Sequence, residues 1–240
     1  MPSLTSVGGR IISCTACTRL RRYCERVGRE KRAAFRDETY WAKPVPGFGD
    51  PQARIVLVGL APAAHGANRT GRIFTGDGVG GSGDFLMTAL HANGLANHTY
   101  SLSREDGLVL SDTWMTASVR CAPPQNKPTP AEISRCQPHL AAELDALPRI
   151  CVIVALGRIA FDACWRLLGE RRARLYPDRR PPRKAAFAHA AEHREPGLPV
   201  LIGSYHPSRQ NTHTGRLTPV MLRDVFSRAR QVARAERATR

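Results

Sequence analysis

GLAPAAHGANRTGRIFTGDGVGGSG, Gly59 to Gly83, is the stretch whose reading decides the fold. It follows the apolar run Ile55-Val56-Leu57-Val58, whose β-branched side chains suit a short strand packed on both faces. Pro62 has no N–H to donate, so the strand cannot continue past it. A glycine-rich loop holding Phe74-Thr75-Gly76-Asp77 comes next. Asp84 to Asn93 then reads as a helix, with Ser82 or Gly83 near its N-cap and Gly94 after its end. Strand, long loop and helix in this order predict an open α/β sheet with a ligand at the carboxyl ends of its strands.

Two common labels do not fit this loop. Gly78 to Gly83 spells GxGxxG, but far beyond the strand rather than in the turn that follows it, and with no acidic ribose reader after a second strand. A phosphate-binding P-loop would need GK[ST], which is missing. No nucleotide cofactor is therefore expected.

Outward from the loop, the same alternation continues. Thr113 to Val119 reads as a second strand, ending in Arg120-Cys121-Ala122-Pro123-Pro124. A helix follows over 131–147, with Thr129 as cap and Pro130 at its first position. Cys151 to Leu156 is a third strand, and Ile159 to Leu168 a helix ended by Gly169. Val200 to Ser204 runs straight into Tyr205-His206-Pro207-Ser208. The last helix, over 218–236, carries Leu222, Val225, Phe226, Ala229 and Val232 on one face. The expected architecture is a three-layer α/β/α domain around a four-stranded, mostly parallel sheet. An N-terminal extension over 1–50 precedes it. A basic, Pro- and Arg-rich stretch over 170–198 reads as a mobile, solvated insertion.

Charge narrows the partner. The net charge is +16 and the pI about 10.6, which points to a polyanion, foremost nucleic acid. Only four of the 36 basic residues are lysine, a bias that a GC-rich genome also produces. The basic helical stretch over 18–38 can be a solvated face or a DNA-facing one. No apolar run approaches the ~20 residues that span a bilayer, and the N-terminus has no apolar core of a signal peptide. A cytoplasmic, nucleoid-associated monomer is expected.

In a reducing compartment seven cysteines argue for ligands or core residues rather than disulfides. Cys14 and Cys17 form a C-x2-C pair, and Cys121 and Cys136 lie downstream. Cys24, Cys151 and Cys164 read as small apolar residues. Four thiolates suit tetrahedral zinc or an iron–sulfur cluster, and spacing does not choose between them.

Four segments together resemble the family 5 uracil-DNA glycosylases: CTAC at 14–17, GLAPAAHGANRTGRIFTGD at 59–77, RCAPPQNKPTPAEISRC at 120–136 and HPSRQNTHTGRLT at 206–218. Leu60 stands where the similar family 4 has an acidic or polar residue, which favours family 5. The resemblance implies the four-stranded fold and a structural [4Fe–4S] cluster on Cys14, Cys17, Cys121 and Cys136. It implies base excision from double-stranded DNA, with single-stranded DNA as a further substrate.

An enzyme of this class must flip the nucleotide into a pocket. Phe74 would stack on the base, and backbone amides around Ala61, Ala63 and Ala64 would contact it. Cleavage builds positive charge on the sugar and negative charge on the departing base. Asp77 would position water and stabilise the cation, and His206 would donate to the base oxygen. Lys31, Lys43, Lys127 and Lys184 all lie outside the strand-end motifs, so no Schiff-base lyase step is expected. Related enzymes often carry an asparagine where this chain has Ala117, which suits a pocket that accepts uracil, hypoxanthine and ethenocytosine. Asn68, Arg69 and Arg72 would contact the DNA, the two arginines clamping phosphates, and Arg209, Gln210 and Asn211 would enter the duplex. A non-catalytic, cluster-containing DNA-binding module and a strictly uracil-specific family 4 enzyme are the competing readings.

Overall fold

A computed structural model describes residues 3–76 and 81–238, the side chains of 237 and 238 excepted. Its centre is a six-stranded sheet. Four strands are parallel: β2 (Ile55–Gly59), β3 (Thr113–Ala117), β4 (Val152–Leu156) and β6 (Val200–Ser204). They lie in the order β3-β2-β4-β6, and every residue in them is buried. Two-residue strands close the edges. Here β1 (Phe48–Gly49) pairs antiparallel with β3, and β5 (Glu192–His193) antiparallel with β6.

Side chains along each parallel strand alternate between two faces, as the pleat requires. Ile55, Leu57, Met115, Val152, Val154 and Ile202 point to one core. There they meet Leu86, Met87 and Leu90 of α4 (Ser82–His91) and Leu222, Val225 and Phe226 of α8 (Pro219–Ala238). Val56, Val58, Trp114, Ile153 and Leu201 point to the other. That face is covered by Leu140 and Leu144 of α5 (Pro130–Ala146) and by Phe161, Cys164 and Leu167 of α6 (Arg158–Leu175). The expected three layers are present, and the sheet is wider by its two edges.

Three local expectations need correction. Gly169 does not end α6, which runs on to Leu175. A Cβ there would meet nothing within 4 Å, so the glycine sits on the open side of the helix. Its ~1 kcal/mol helix penalty does not outweigh the burial of Leu167 and Leu168 beside it. Residues 170–198 are not simply a solvated insertion. They include the end of α6, and Phe187 packs edge-on to Phe161 with ring centroids 5.6 Å apart. Backbone bonds from Ala190 N to Gly203 O (2.8 Å) and from Gly203 N to Ala191 O (3.0 Å) stitch this stretch to β6. The basic helix is shorter than 18–38: α2 spans Thr18–Glu30, and a 3-10 turn covers Ala33–Phe35.

The N-terminal extension also holds α1 (Leu4–Ile12), which is capped by Ser3 and packs on α5. The α5 start is as expected, a capping box in which Thr129 and Glu132 bond each other's backbone N–H. Glu132 also holds Arg19 of α2 through both oxygens, at 2.8 and 2.7 Å. Arg19 thereby keeps the Glu132 carboxyl below its usual range.

Candidate active site

Strand β2 has β3 on one side and β4 on the other, so the loops leaving β2 and β4 diverge. A crevice opens at their carboxyl ends, where open α/β sheets bind ligands. A cleft of about 480 Å³ lies there, lined by Gly59 to Ala63, Phe74 to Gly76, Ala117, Asn126 and His206 to Gln210. That volume is within the range of small-ligand clefts, roughly 300–1,000 Å³.

Phe74 is held in the left-handed region, φ 59°, a conformation a bulky residue adopts only when its surroundings impose it. The cause is visible on two sides. A Cβ on Gly59 would come within 2.8 Å of the Phe74 ring, so the ring needs a glycine at the end of β2. On the other side, the start of α4 presses on the backbone: a Cβ on Gly83 would meet Phe74 O at 2.9 Å. The ring is thus fixed against the cleft as a flat apolar wall.

His206 follows β6 and is half-buried at the cleft. Burial pushes its pKa down to about 4, so at neutral pH the imidazole is uncharged and carries one N–H. Its backbone carbonyl accepts from Asn211 Nδ2 and from Ser208 N, both at 2.8 Å. Ser208 also caps α7 (Arg209–His213).

The cleft gathers Ala61, Ala63, Phe74, Ala117 and His206, with Arg209 and Gln210 exposed at its rim. Ala64 is not among its lining residues; its carbonyl accepts instead from Asn68 Nδ2 at 3.4 Å. Asp77 lies outside the described residues. Asn126 belongs to the lining without having been singled out in the sequence. Both it and Gln125 have positive φ, 55° and 54°, in the turn after Pro124. The only signal was an Asn in a proline-flanked turn just after a strand-end motif.

Four residues expected to contact DNA are engaged inside the protein. Asn68 is fully buried and donates to Cys24 O at 3.3 Å, tying the loop to α2. Arg69 is buried, bonds Glu38 at 2.5 Å and His65 O at 2.9 Å, and lies over the Phe35 ring. Arg72 is buried and paired with Asp106, whose carboxyl also accepts from the Leu102 and Leu108 N–H groups. Asn211 is occupied with His206 O. Arg69 and Arg72 are buried against their carboxylate partners rather than turned to solvent, and Asn68 ties the loop to α2.

The cysteines lie beside the cleft. Cys121 and Cys136 share an apolar cluster with Leu20, Cys24, Val119 and Ala122, and Cys17 and Ala61 pack against it. Ala61 therefore touches both the thiol cluster and the cleft. Among the described residues, no three His, Cys, Asp or Glu side chains are grouped to hold a single metal ion. The donor set nevertheless fits a cluster. Arg120 N–H points at Cys136 Sγ (3.3 Å) and Arg135 Nη1 at Cys17 Sγ (4.0 Å), both contacts that favour thiolate. Burial pushes Cys136 up to about 11, and Cys24 together with burial holds Cys121 above the ordinary thiol range.

A flat apolar wall, a neutral imidazole and small residues line this strand-end cleft of an α/β protein. The profile of the uracil DNA glycosylase superfamily matches residues 46–230. A type-5 uracil-DNA glycosylase of Thermus thermophilus is 49% identical over 223 residues, covering 93% of this chain and 95% of that one. A type-5 enzyme of Mycobacterium leprae is 46% identical, covering 96% of each, and one of Mycobacterium bovis is 48% identical, covering 98% and 83%. The chain belongs to the uracil DNA glycosylase superfamily, in its type-5 branch.

Proposed function

We propose that this chain is a monofunctional DNA N-glycosylase, which hydrolyses the bond between uracil and its sugar in duplex DNA and leaves an intact abasic site. The observation that carries the reading is Phe74 and neutral His206 facing one cleft at the carboxyl ends of β2 and β6. A base reaches that cleft only after leaving its stack, at a cost of a few kcal/mol. Stacking on Phe74 replaces part of the lost base stacking. As the bond breaks, negative charge moves onto the base oxygens. The His206 N–H stabilises it there, in a site that burial has made less polar than water. Neutral imidazole suits this role, since it donates without first having to hold a charge in a buried place. From the sequence alone, Asp77 is assigned the role of positioning water and stabilising the cationic sugar.

Ala117 ends β3 at the cleft with a methyl group only. It offers no donor or acceptor to select uracil, and this supports excision of hypoxanthine and ethenocytosine as well. Asn126 adds a side-chain amide to the lining. Cys14, Cys17, Cys121 and Cys136 would hold a [4Fe–4S] cluster, which would link the start of α2, the stretch after β3 and α5 as a structural group.

End-labelled duplexes carrying uracil, hypoxanthine or ethenocytosine test this directly. Wild type should give strand cutting that depends on mild alkali, and Asp77→Asn much less. A protein that binds duplex but leaves no abasic product from any lesion would instead be a DNA-binding module.

A further inference from the structure

The stretch Phe187 to Ala191 has no part in the chemistry above, yet it packs against the chain that delivers His206. His189 is half-buried, and its Nδ1 accepts the backbone N–H of Tyr205 at 3.2 Å. The backbone of Met221, in the first turn of α8, also lies close enough to act on the ring. With Nδ1 accepting, the ring is neutral and its proton is on Nε2. The Tyr205 ring lies 5.1 Å from the His189 ring and 6.1 Å from Phe187. The cations facing this group are Arg216, 4.7 Å over Tyr205, and Arg158, 5.6 Å over Phe187.

We propose that His189 is a positioning residue for His206, clamping the Tyr205 peptide between β6 and α8 so that the next side chain stands at the departing base; this rests on the role of His206 given above. The clamp acts where the strand's own ladder stops. Gly157 N bonds Ser204 O at 2.8 Å, Ser204 Oγ bonds Tyr205 O at 3.0 Å, and Asn211 holds His206 O. His189 supplies the partner for the Tyr205 N–H, which lies among them. A protonated ring would turn an Nδ1–H against the Tyr205 N–H, two donors facing each other, and release the strand end. Burial lowers the His189 pKa and the Met221 backbone raises it, burial being the larger effect, so the clamp is kept closed at neutral pH.

The test is excision of uracil from a duplex by wild type, H189L, H189Q and H206A, with kcat and KM separated, across pH. Leucine cannot accept the Tyr205 N–H, whereas glutamine can with Oε1. H189L should lose on the order of 10–100-fold in kcat with KM little changed, and H189Q should recover most of it. The acid limb of kcat should move to lower pH in H189Q, where the imidazole of His189 is no longer there to protonate. Wild-type kcat in a folded H189L would overturn the proposal. If H189L does not fold, the pH profiles decide, and identical limbs for wild type and H189Q overturn it. H206A separates the two ideas: a wild-type rate there would remove His206 itself from the reaction.

Discussion

Two loops meet at the cleft, and both bring arginines to it. In the loop after β2, Arg69 and Arg72 are buried and paired with Glu38 and Asp106. In the loop after β6, Arg209 is exposed at the rim, with no carboxylate partner among the described residues. The motifs look equally basic on paper. The first set braces the pocket, fastening the segment over 35–42 and the loop over 97–108 around Phe74. The second is free to meet DNA. Proximity to a motif does not make a cation a ligand for phosphate, since a guanidinium already paired with a buried carboxylate is not offered to DNA.

The sharpest way to break this contrast is to remove one cation from each loop. Arg72→Ala leaves Asp106 buried with its charge unpaired, so thermal unfolding should show a loss of about 3–5 kcal/mol. An unchanged melting temperature would mean that the pair is not structural. Arg209→Ala should melt like wild type. Its effect should appear in duplex affinity, as a salt slope reduced by about one unit.

Between these lies Gly59→Ala. The added methyl meets the Phe74 ring at 2.8 Å, so the ring must leave its seat while the strand persists. We expect excision to fall by about 10-fold or more, with a stability loss of about 1–3 kcal/mol from overpacking. Equal activity in Gly59→Ala and wild type would separate Phe74 from the pocket wall.

The smallest expected effect is of pH on stability. His206 has its pKa depressed in the fold, so the folded form disfavours the proton. The stability this gives is complete above the unfolded value of about 6.5 and declines as pH falls toward about 4. Wild type should therefore lose stability on acidification more steeply than His206→Ala. Parallel curves for the two proteins would contradict the buried, neutral imidazole.

What the sequence disclosed and what it hid follow the same division. The four parallel strands were legible because each is a short, wholly apolar run, buried on both faces. Phe48–Gly49 and Glu192–His193 were not, since two residues paired at a sheet edge have no period to read. Of the cleft residues, His206 was legible from its strand-end position, Phe74 as the aromatic of the long loop after β2, and Ala117 from the family resemblance. The fate of the arginines was hidden because their partners are distant in the chain: Glu38 is 31 residues from Arg69 and Asp106 is 34 from Arg72. The 170–198 stretch misled for a related reason. Its composition is that of a loop, while the packing of Phe187 and His189 depends on rings contributed by α6 and the end of β6.

The central claim is that the loop after β6 delivers chemistry through His206 and binding through Arg209. Single-turnover excision of uracil from a duplex by wild type, His206→Ala and Arg209→Ala tests it most directly. His206→Ala should lose roughly 10²–10³-fold in the maximal rate, while Arg209→Ala reaches the wild-type rate at higher protein concentration. A full maximal rate in His206→Ala would contradict the account.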